Sequence, residues 1–454
     1  MQSIAQIYVT KHGGMAVETG IALLLLAAGG YFTLKTRFVQ VRRFVPSLLA
    51  FFHPGDGESG TNVSPFEAAA TSLAATIGTG NIAGTAGALL IGGPGAVFWM
   101  WVSALLGMAL KYAEIYYAVR FRSSGASGGY GGPMLYIERG LPARWHFLAP
   151  IFAFCGAFAA LGMGNLAQVN TVAESAIALF SAVCDGLTQP AVRRIAFVTG
   201  VAVAALIACA VLGGSKRVGR MAALLVPFMS VLYIGGAILV ILGKPGDVLP
   251  ALSAIVRGAF EPQAALGGAA GFTLSQTFRI GISRGVFTHE AGLGTSAIAH
   301  AAAGANSPER QATFGIFEIF LDTIVMCTLT ALAVLVSGIP LPYGDASAAG
   351  ALVTAAFATR LGSFGAGLFL SLSLLLFAFS SMLSFSLYGS QCAAYLFGPR
   401  AVRPYLVVFT GLCIFGALMP LTLAWRVSEL LNMLMAVPNL LALLLLSRRY
   451  PPGG

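Results

Sequence analysis

The residues best placed to do chemistry are Gly78-Thr79-Gly80-Asn81-Ile82-Ala83-Gly84, inside an apolar run that begins after Pro65. Two glycines in three positions let a backbone leave its helix. Within a membrane the freed N–H and C=O groups then need partners, because hydrocarbon offers none. N–H groups that open an outer half-helix suit a carboxylate, and carbonyls that close an inner one suit a small cation. The alternative is close helix packing, since Gly80 and Gly84 have GxxxG spacing. A dinucleotide site is excluded, because the pattern is GxGxxxG and no strand or βαβ unit surrounds it.

Other polar residues interrupt apolar runs. Asn165 and Gln168 are three apart, so on a regular helix they share a face and either line a polar cavity or bond a neighbouring helix. Ser380 and Ser381 supply two hydroxyls, which together with freed carbonyls make an oxygen site for a hard cation. Their alternative is bonding back to their own helix. Acidic residues within apolar segments are functional candidates. Glu318 and Asp322 are four apart, Glu290 follows His289, and Glu114 lies three from Lys111, its expected partner. His289-Glu290 is not HExxH, because position 293 is Leu, so zinc hydrolysis has no support. The five histidines read as interfacial or loop residues, and the six cysteines as small core residues without metal spacing. No nucleophile–base–acid set is visible. The chain does not read as an enzyme, and no organic cofactor is implied.

The elements that must position these residues follow from composition. The chain has 454 residues, 57% hydrophobic and 9% charged, where soluble domains carry roughly 25% charged residues. Mean hydropathy is +0.84. That excludes a soluble enzyme and a disordered chain. The 26 Lys and Arg lie between apolar segments and form no nucleic-acid patch. The fold class is therefore an all-α polytopic membrane protein. Eleven candidate spans lie near 15–34, 66–90, 96–119, 147–180, 194–213, 221–242, 266–300, 312–337, 364–396, 405–420 and 427–447, with a short surface helix in 340–360. Sixteen basic residues fall on the side of the loop holding Lys35, Arg37, Arg42 and Arg43, and seven on the other. The bias puts the N-terminus outside and the C-terminus in the cytoplasm.

A repeat is visible at low contrast. Ile77 to Gly80 and Ile280 to Ser283 fall at similar depths in the second and seventh spans, 203 residues apart. An odd number of spans separates the two starts, so the second copy enters from the opposite side, as an inverted repeat with two broken helices. Arg279 and Arg284 then flank the second break. A rival alignment matches Gly78-Thr79-Gly80 to Gly292-Leu293-Gly294. The expected organisation is 1–62 as a peripheral helix with a basic loop, 63–242 as the first five-helix repeat and 243–454 as the second.

The stretches IGTGNIAG (77–84), GGPGAVFWMWVSALLGMALKYAE (92–114), GGPMLYI (131–137), GMGNLAQVN (162–170), RIGISRGVFTHEAGLGTSAIAHAA (279–302), LDTIVMCTLTAL (321–332), LFAFSSM (376–382) and NMLMAVPNLLALLLL (432–446) resemble the alanine or glycine:cation symporters over nearly the whole chain from about residue 30. The resemblance implies one peripheral helix plus a five-plus-five inverted-repeat core of the leucine-transporter-like kind. It implies uptake of a small neutral amino acid driven by Na⁺ or H⁺, across the cytoplasmic (inner) membrane, by a monomer. Some members carry glutamine. By the same resemblance Thr79, Gly80 and Asn81 take the substrate carboxylate and Gln168 faces the substrate. Carbonyls at Gly281 and Ser283 take the ammonium group. Ser380 and Ser381, with carbonyls near Ile77 and Gly80, hold Na⁺. Asp322, Arg284 and Glu290 serve gating or coupling. After the serine pair the family reads G-W-S-Y-Y-G-E, where this chain has Ser384-Phe385-Ser386-Leu387-Tyr388-Gly389-Ser390. Phe385 thus replaces the Trp expected to cap the pocket, which points to an enlarged pocket. The competing function is a passive channel or facilitator for small polar solutes, which needs a continuous polar pore that the scattered polar residues do not provide.

Overall fold

The computed structural model describes residues 4–52, 63–123, 131–184, 186–211, 213–261, 273–305 and 307–452. Regular structure among the described residues is helical throughout. Seven helices have the length and apolar character to cross a membrane, or eight when the bent pair Pro65–Thr76 and Gly80–Gly92 is taken as one span. Helices also cover the other three expected segments, at Ile4–Lys35, at Leu274–His289 with Thr295–Ala301, and at Leu421–Arg449. Gln189–Val211, Gly214–Ile241 and Val402–Leu418 show Phe197, Leu206, Leu224, Phe228, Val407 and Phe415 on the outside. Such a rim fits lipid, whereas the polar side chains turn inward.

The broken helices fill the middle. The first starts on a capping box: Glu67 N donates to Ser64 Oγ at 3.1 Å, Ser64 N donates to Glu67 Oε2 at 2.8 Å, and Pro65 takes the first helical position. Every residue from Ala68 to Thr76 is buried. The helix ends at Ile77, whose ψ of 92° carries the chain out of helical geometry, and resumes bent by 48°.

The second break lies elsewhere than the sequence led us to expect. Leu274–His289 is one unbroken helix that includes Gly281, Ser283 and Arg284. The chain departs at Glu290 (φ 55°), passes Gly292 (φ 88°) and Gly294 (φ 86°), and re-enters a helix at Thr295–Ala301. Left-handed backbone at two glycines is what the sequence supplies there. The glycine at 281 has a different cause: a Cβ would sit 2.4 Å from the Ala96 carbonyl oxygen and 2.6 Å from Trp99 Cβ, so it permits helix contact. The break therefore follows the alternative pairing, Gly78-Thr79-Gly80 with Gly292-Leu293-Gly294.

The half-helices pair crosswise. Pro65–Thr76 meets Thr295–Ala301 through Ser72 and Ser296, and Thr85–Gly92 meets Leu274–His289 through Gln276 and the Ile91 carbonyl. Two broken helices thus run antiparallel with their breaks side by side. Two further features stand in the periphery. Val248–Phe260 forms a helix not expected from the sequence, because 13 residues fall short of a span. It lies on Gly95–Arg120, where a Cβ at Gly95 would be 2.1 Å from the Gly258 backbone. The surface helix expected in 340–360 begins at Ala349 and turns into the following long helix at Gly362, whose φ is 70°.

Candidate functional site

At the first break Asn81 closes the gap. Gly78 N donates to Asn81 Oδ1 at 2.9 Å, while Asn81 Nδ2 donates to Asp322 Oδ1 at 2.7 Å and to the Asp322 carbonyl at 3.0 Å. Thr79 Oγ1 donates to Gln168 Oε1 at 3.1 Å. Three π-helical segments supply this geometry: Gly80–Gly84, Gly162–Leu166 just before Gln168, and Phe320–Cys327 holding Asp322. Each inserts a wider turn that redirects side chains, a device common at functional sites. It also separates Asn165 from Gln168. Asn165 Nδ2 donates to the Phe409 carbonyl at 2.5 Å, away from the break, so the pair does not share a face. Glu318 and Asp322 part for the same reason.

The serine pair lies directly on the first half-helix. Ser380 Oγ approaches the Ala74 carbonyl at 3.3 Å and its own helix at Phe377 O at 2.9 Å, and Ser381 Oγ donates to the Ala75 carbonyl at 3.2 Å. Ser384 Oγ donates to Thr71 O at 2.7 Å one turn further along. Hydroxyls and helix-end carbonyls therefore converge in a fully buried seam. Contact begins two to three residues before Ile77. The Gly80 carbonyl accepts from Thr85 N within the π-turn. Gly78 leaves no space for a side chain: a Cβ would meet Ser381 Oγ at 2.9 Å and the Gln168 amide at 3.6 Å.

The second break has its own built-in anion. Gly292 N and Gly294 N donate to the two Glu114 oxygens at 3.1 and 2.5 Å, and Asn439 Nδ2 donates to Glu114 Oε1 at 2.6 Å and to Gly292 O at 2.9 Å. Glu114 does not pair with Lys111, as the three-residue spacing implied. Lys111 Nζ is 3.1 Å from Glu318 Oε2, both side chains fully buried. Asn439 was within reach of sequence reasoning, as an amide in a long apolar run; the role of Glu114 was not, because the N–H groups it satisfies belong to a break placed elsewhere. Glu290 sits at the departure point, with Oε2 accepting from Thr295 Oγ1 at 2.8 Å while Oε1 is buried without a hydrogen-bond partner. Arg284, two turns before the break rather than beside it, has its guanidinium 6.0 Å from the Phe287 ring centroid. His289 and His300 are also buried and bonded, not interfacial: His289 Nε2 is 2.8 Å from Ser103 Oγ, and His300 Nε2 is 2.7 Å from Glu318 Oε1.

Phe385 is buried on the serine helix, stacked edge-on against Tyr388 at 5.5 Å. Its Cβ would be 2.1 Å from a Cβ at Gly164, so its ring root rests on the π-turn that precedes Gln168. The structure thus brings Thr79, Asn81, Gln168, Ser380, Ser381 and Asp322 together around the first break. Glu290 belongs to the second break, and Gly281 and Ser283 to neither.

Among the described residues no cluster of His, Cys, Asp and Glu could hold a metal, and the described cysteines are all unpaired. Paired broken helices with their breaks side by side are common in secondary transporters. The model of the sodium:alanine symporter family matches residues 1–450. The chain belongs to the sodium:alanine symporter family. Among its relatives is the sodium/alanine symporter AgcS of Methanococcus maripaludis, 41% identical over 429 residues, covering 94% of this chain and 91% of that one. Another is the probable sodium/glutamine symporter GlnT of Bacillus subtilis, 33% identical over 430 residues, covering 94% and 85%. Of solved structures, MhsT in complex with L-phenylalanine is similar with a TM-score of 0.59 at 16% identity, covering 83% of this chain and 87% of that one. That likeness shows the fold, the leucine-transporter-like architecture expected from the sequence. This family member is a multi-pass membrane transporter of the cation:amino-acid symporter class, not an enzyme.

Proposed function

We propose that this symporter couples Na⁺ entry to uptake of a small neutral amino acid of the alanine type, with room for side chains somewhat larger than a methyl group. The observation that carries the reading is the meeting of Ser380 and Ser381 with the carbonyl end of the first half-helix. Hydroxyl and carbonyl oxygens are the ligands a small hard cation needs when it sheds water. In this reading Na⁺ enters between the Ser380 and Ser381 hydroxyls and the carbonyls of Ala74, Ala75 and Ile77, and Gly80 contributes backbone rather than an ion-binding carbonyl. The substrate carboxylate lies on the N–H groups of Thr79 and Gly80, held by the shape that Asn81 imposes. Gln168 and Phe385 form the wall. Asp322 senses occupancy through Asn81, and Glu290 and Arg284 couple the second broken helix. With the ammonium group no longer assigned to Gly281 and Ser283, the unpartnered oxygen of Glu290 is an acceptor at the second break that could take it.

Ion and substrate organise the same break, so each raises the other's affinity by the same factor. The inverted pair of broken helices then rocks around the site to give alternating access. In the same reading the N-terminus lies outside and the C-terminus in the cytoplasm of the inner membrane, as the basic-loop bias suggests, with repeats at 63–242 and 243–454 in a monomer. The sodium/alanine and sodium/glutamine relatives support the ion and the substrate class. The test is uptake into proteoliposomes with Na⁺ replaced by choline at fixed pH. Accumulation above the bath concentration only with inward Na⁺ supports symport. Uptake that stops at equal concentrations identifies a facilitator, and uptake driven by a pH gradient in choline identifies H⁺.

A further inference from the structure

We propose that Glu318 is a positioning residue of the transport cycle: a buried carboxylate that ties together the two half-helices whose separation opens the site at one end of the bundle. The inference rests on the alternating-access reading above.

The geometry is dense. Ser72 Oγ, on the first half of the first broken helix, lies 2.6 Å from Glu318 Oε2 and 2.9 Å from Ser296 Oγ, on the last half of the second. His300, one turn beyond Ser296, contacts Glu318 Oε1 at 2.7 Å. Gln311 Nε2, on the helix of Glu318, lies 2.8 Å from His300 Nδ1 and 3.2 Å from the Pro65 carbonyl. Lys111 neutralises the carboxylate at 3.1 Å and reaches the His289 carbonyl at 3.3 Å. These side chains are all within 1–2% of complete burial. Both Glu318 oxygens are engaged, and their partners Ser72, His300 and Lys111 come from three separate helical segments.

A buried carboxylate is stable only while its donors stay in place. Pro65–Thr76 cannot part from Thr295–Ala301 without withdrawing Ser72 or His300 from that carboxylate. Glu318 therefore biases the closed arrangement at this end, and Lys111, anchored on a helix outside both breaks, keeps the carboxylate in place when the half-helices leave. By the basic-loop orientation this is the cytoplasmic end. Breaking one hydrogen bond to a charged group shifts an equilibrium by roughly ten- to a hundredfold. A shift toward the state open to the cytoplasm lowers the fraction able to bind from outside and weakens apparent outside affinity by that fraction.

The test uses the full chain and three variants. Ser72→Ala removes one donor with little change of volume. Ser72→Thr restores the hydroxyl. The pair Lys111→Met with Glu318→Met removes both charges and leaves no unpaired ion. Two readouts are taken: hydrogen exchange of peptides covering 65–76 and 295–301 in detergent, with 85–92 as control, and the concentration of external alanine for half-maximal uptake. Expected for Ser72→Ala and for the Met pair is exchange about tenfold faster in 65–76 and 295–301 alone. The half-maximal alanine concentration rises, by up to about tenfold, while maximal uptake per inserted protein is kept, and Ser72→Thr reverts toward wild type. A merely structural role would lower protein abundance and leave the half-maximal concentration unchanged, which overturns the proposal. Wild-type exchange in both half-helices also overturns it. Exchange is read whether or not alanine is carried, so failure of the wild type to accumulate alanine rejects the functional reading without deciding the tie.

Discussion

Asn81 Nδ2 lies 2.7 Å from Asp322 Oδ1 while Asn81 Oδ1 accepts from Gly78 N at 2.9 Å, so one amide joins the first break to the π-turn of another helix. The amide uses its donor on one side and its acceptor on the other, which a carboxylate cannot do. Asn81→Asp sets two carboxylates against each other in a buried site. We expect uptake to fall at least tenfold with the protein still inserted, since a hydrogen bond to a charged group is worth about 1.5–3 kcal/mol. Asp322→Asn in the same background removes the clash and should restore part of the uptake. Initial uptake rates of the single and double variants check this, and no recovery in the double variant contradicts it.

Ser380 and Ser381 should set the ion dependence. Changing both to Ala removes two oxygens from the seam over Ala74 and Ala75. The Na⁺ concentration for half-maximal uptake should rise about tenfold or more while the amount of inserted protein holds. Gly78→Ala should act in the same direction, because its Cβ would push on Ser381 Oγ from 2.9 Å, whereas Gly80→Ala meets only ordinary contacts, at 3.8 Å from Phe287. Na⁺ titrations of the three variants decide it. Equal curves for Gly78→Ala and Gly80→Ala would place the ion elsewhere.

Much of this site was legible in the sequence, and the failures have a common cause. Gly78 to Asn81, Gln168, Ser380 and Ser381 stood out because polar or flexible residues in apolar runs are costly and need a reason. The inverted pair was legible too, but not its second break, because a glycine that allows helix contact at 281 looks the same in sequence as one that allows left-handed backbone at 292. Regular helical spacing also misled wherever a π-turn intervenes, as between Asn165 and Gln168. The partners of Glu114 and Lys111 lie 178 or more residues away, beyond what local spacing reports.

Glu114 should prove to be a stability residue of the second break. Its oxygens receive Gly292 N and Gly294 N, which would lose this acceptor, and Asn439 Nδ2, which would keep only the Gly292 carbonyl. Glu114→Ala should cost ~1–3 kcal/mol for each donor left unsatisfied and lower the thermal midpoint in detergent by several degrees. Glu114→Gln, which keeps one acceptor oxygen, should lose less. A midpoint unchanged in Glu114→Ala contradicts the assignment.

Phe385 should set side-chain size. It sits on Gly164 and against Tyr388, and a benzyl ring leaves space an indole would fill. Filling apolar space is worth about 0.8 kcal/mol per methylene, or roughly fourfold in affinity. Phe385→Trp should therefore narrow preference toward glycine and alanine. Competition by glycine, alanine, serine and glutamine against both proteins measures it, and identical ratios in the two would mean that Phe385 does not line the pocket.

The account stands most directly on coupling between ion and amino acid at one broken helix. The decisive measurement is the equilibrium dissociation constant of alanine for the purified protein at increasing Na⁺ with choline holding ionic strength, repeated for Na⁺ at increasing alanine. The account predicts that each ligand tightens the other by the same factor, on the order of 5- to 150-fold, and that the Ser380→Ala/Ser381→Ala variant abolishes the effect in both directions. An alanine affinity independent of Na⁺ in the wild type would contradict it.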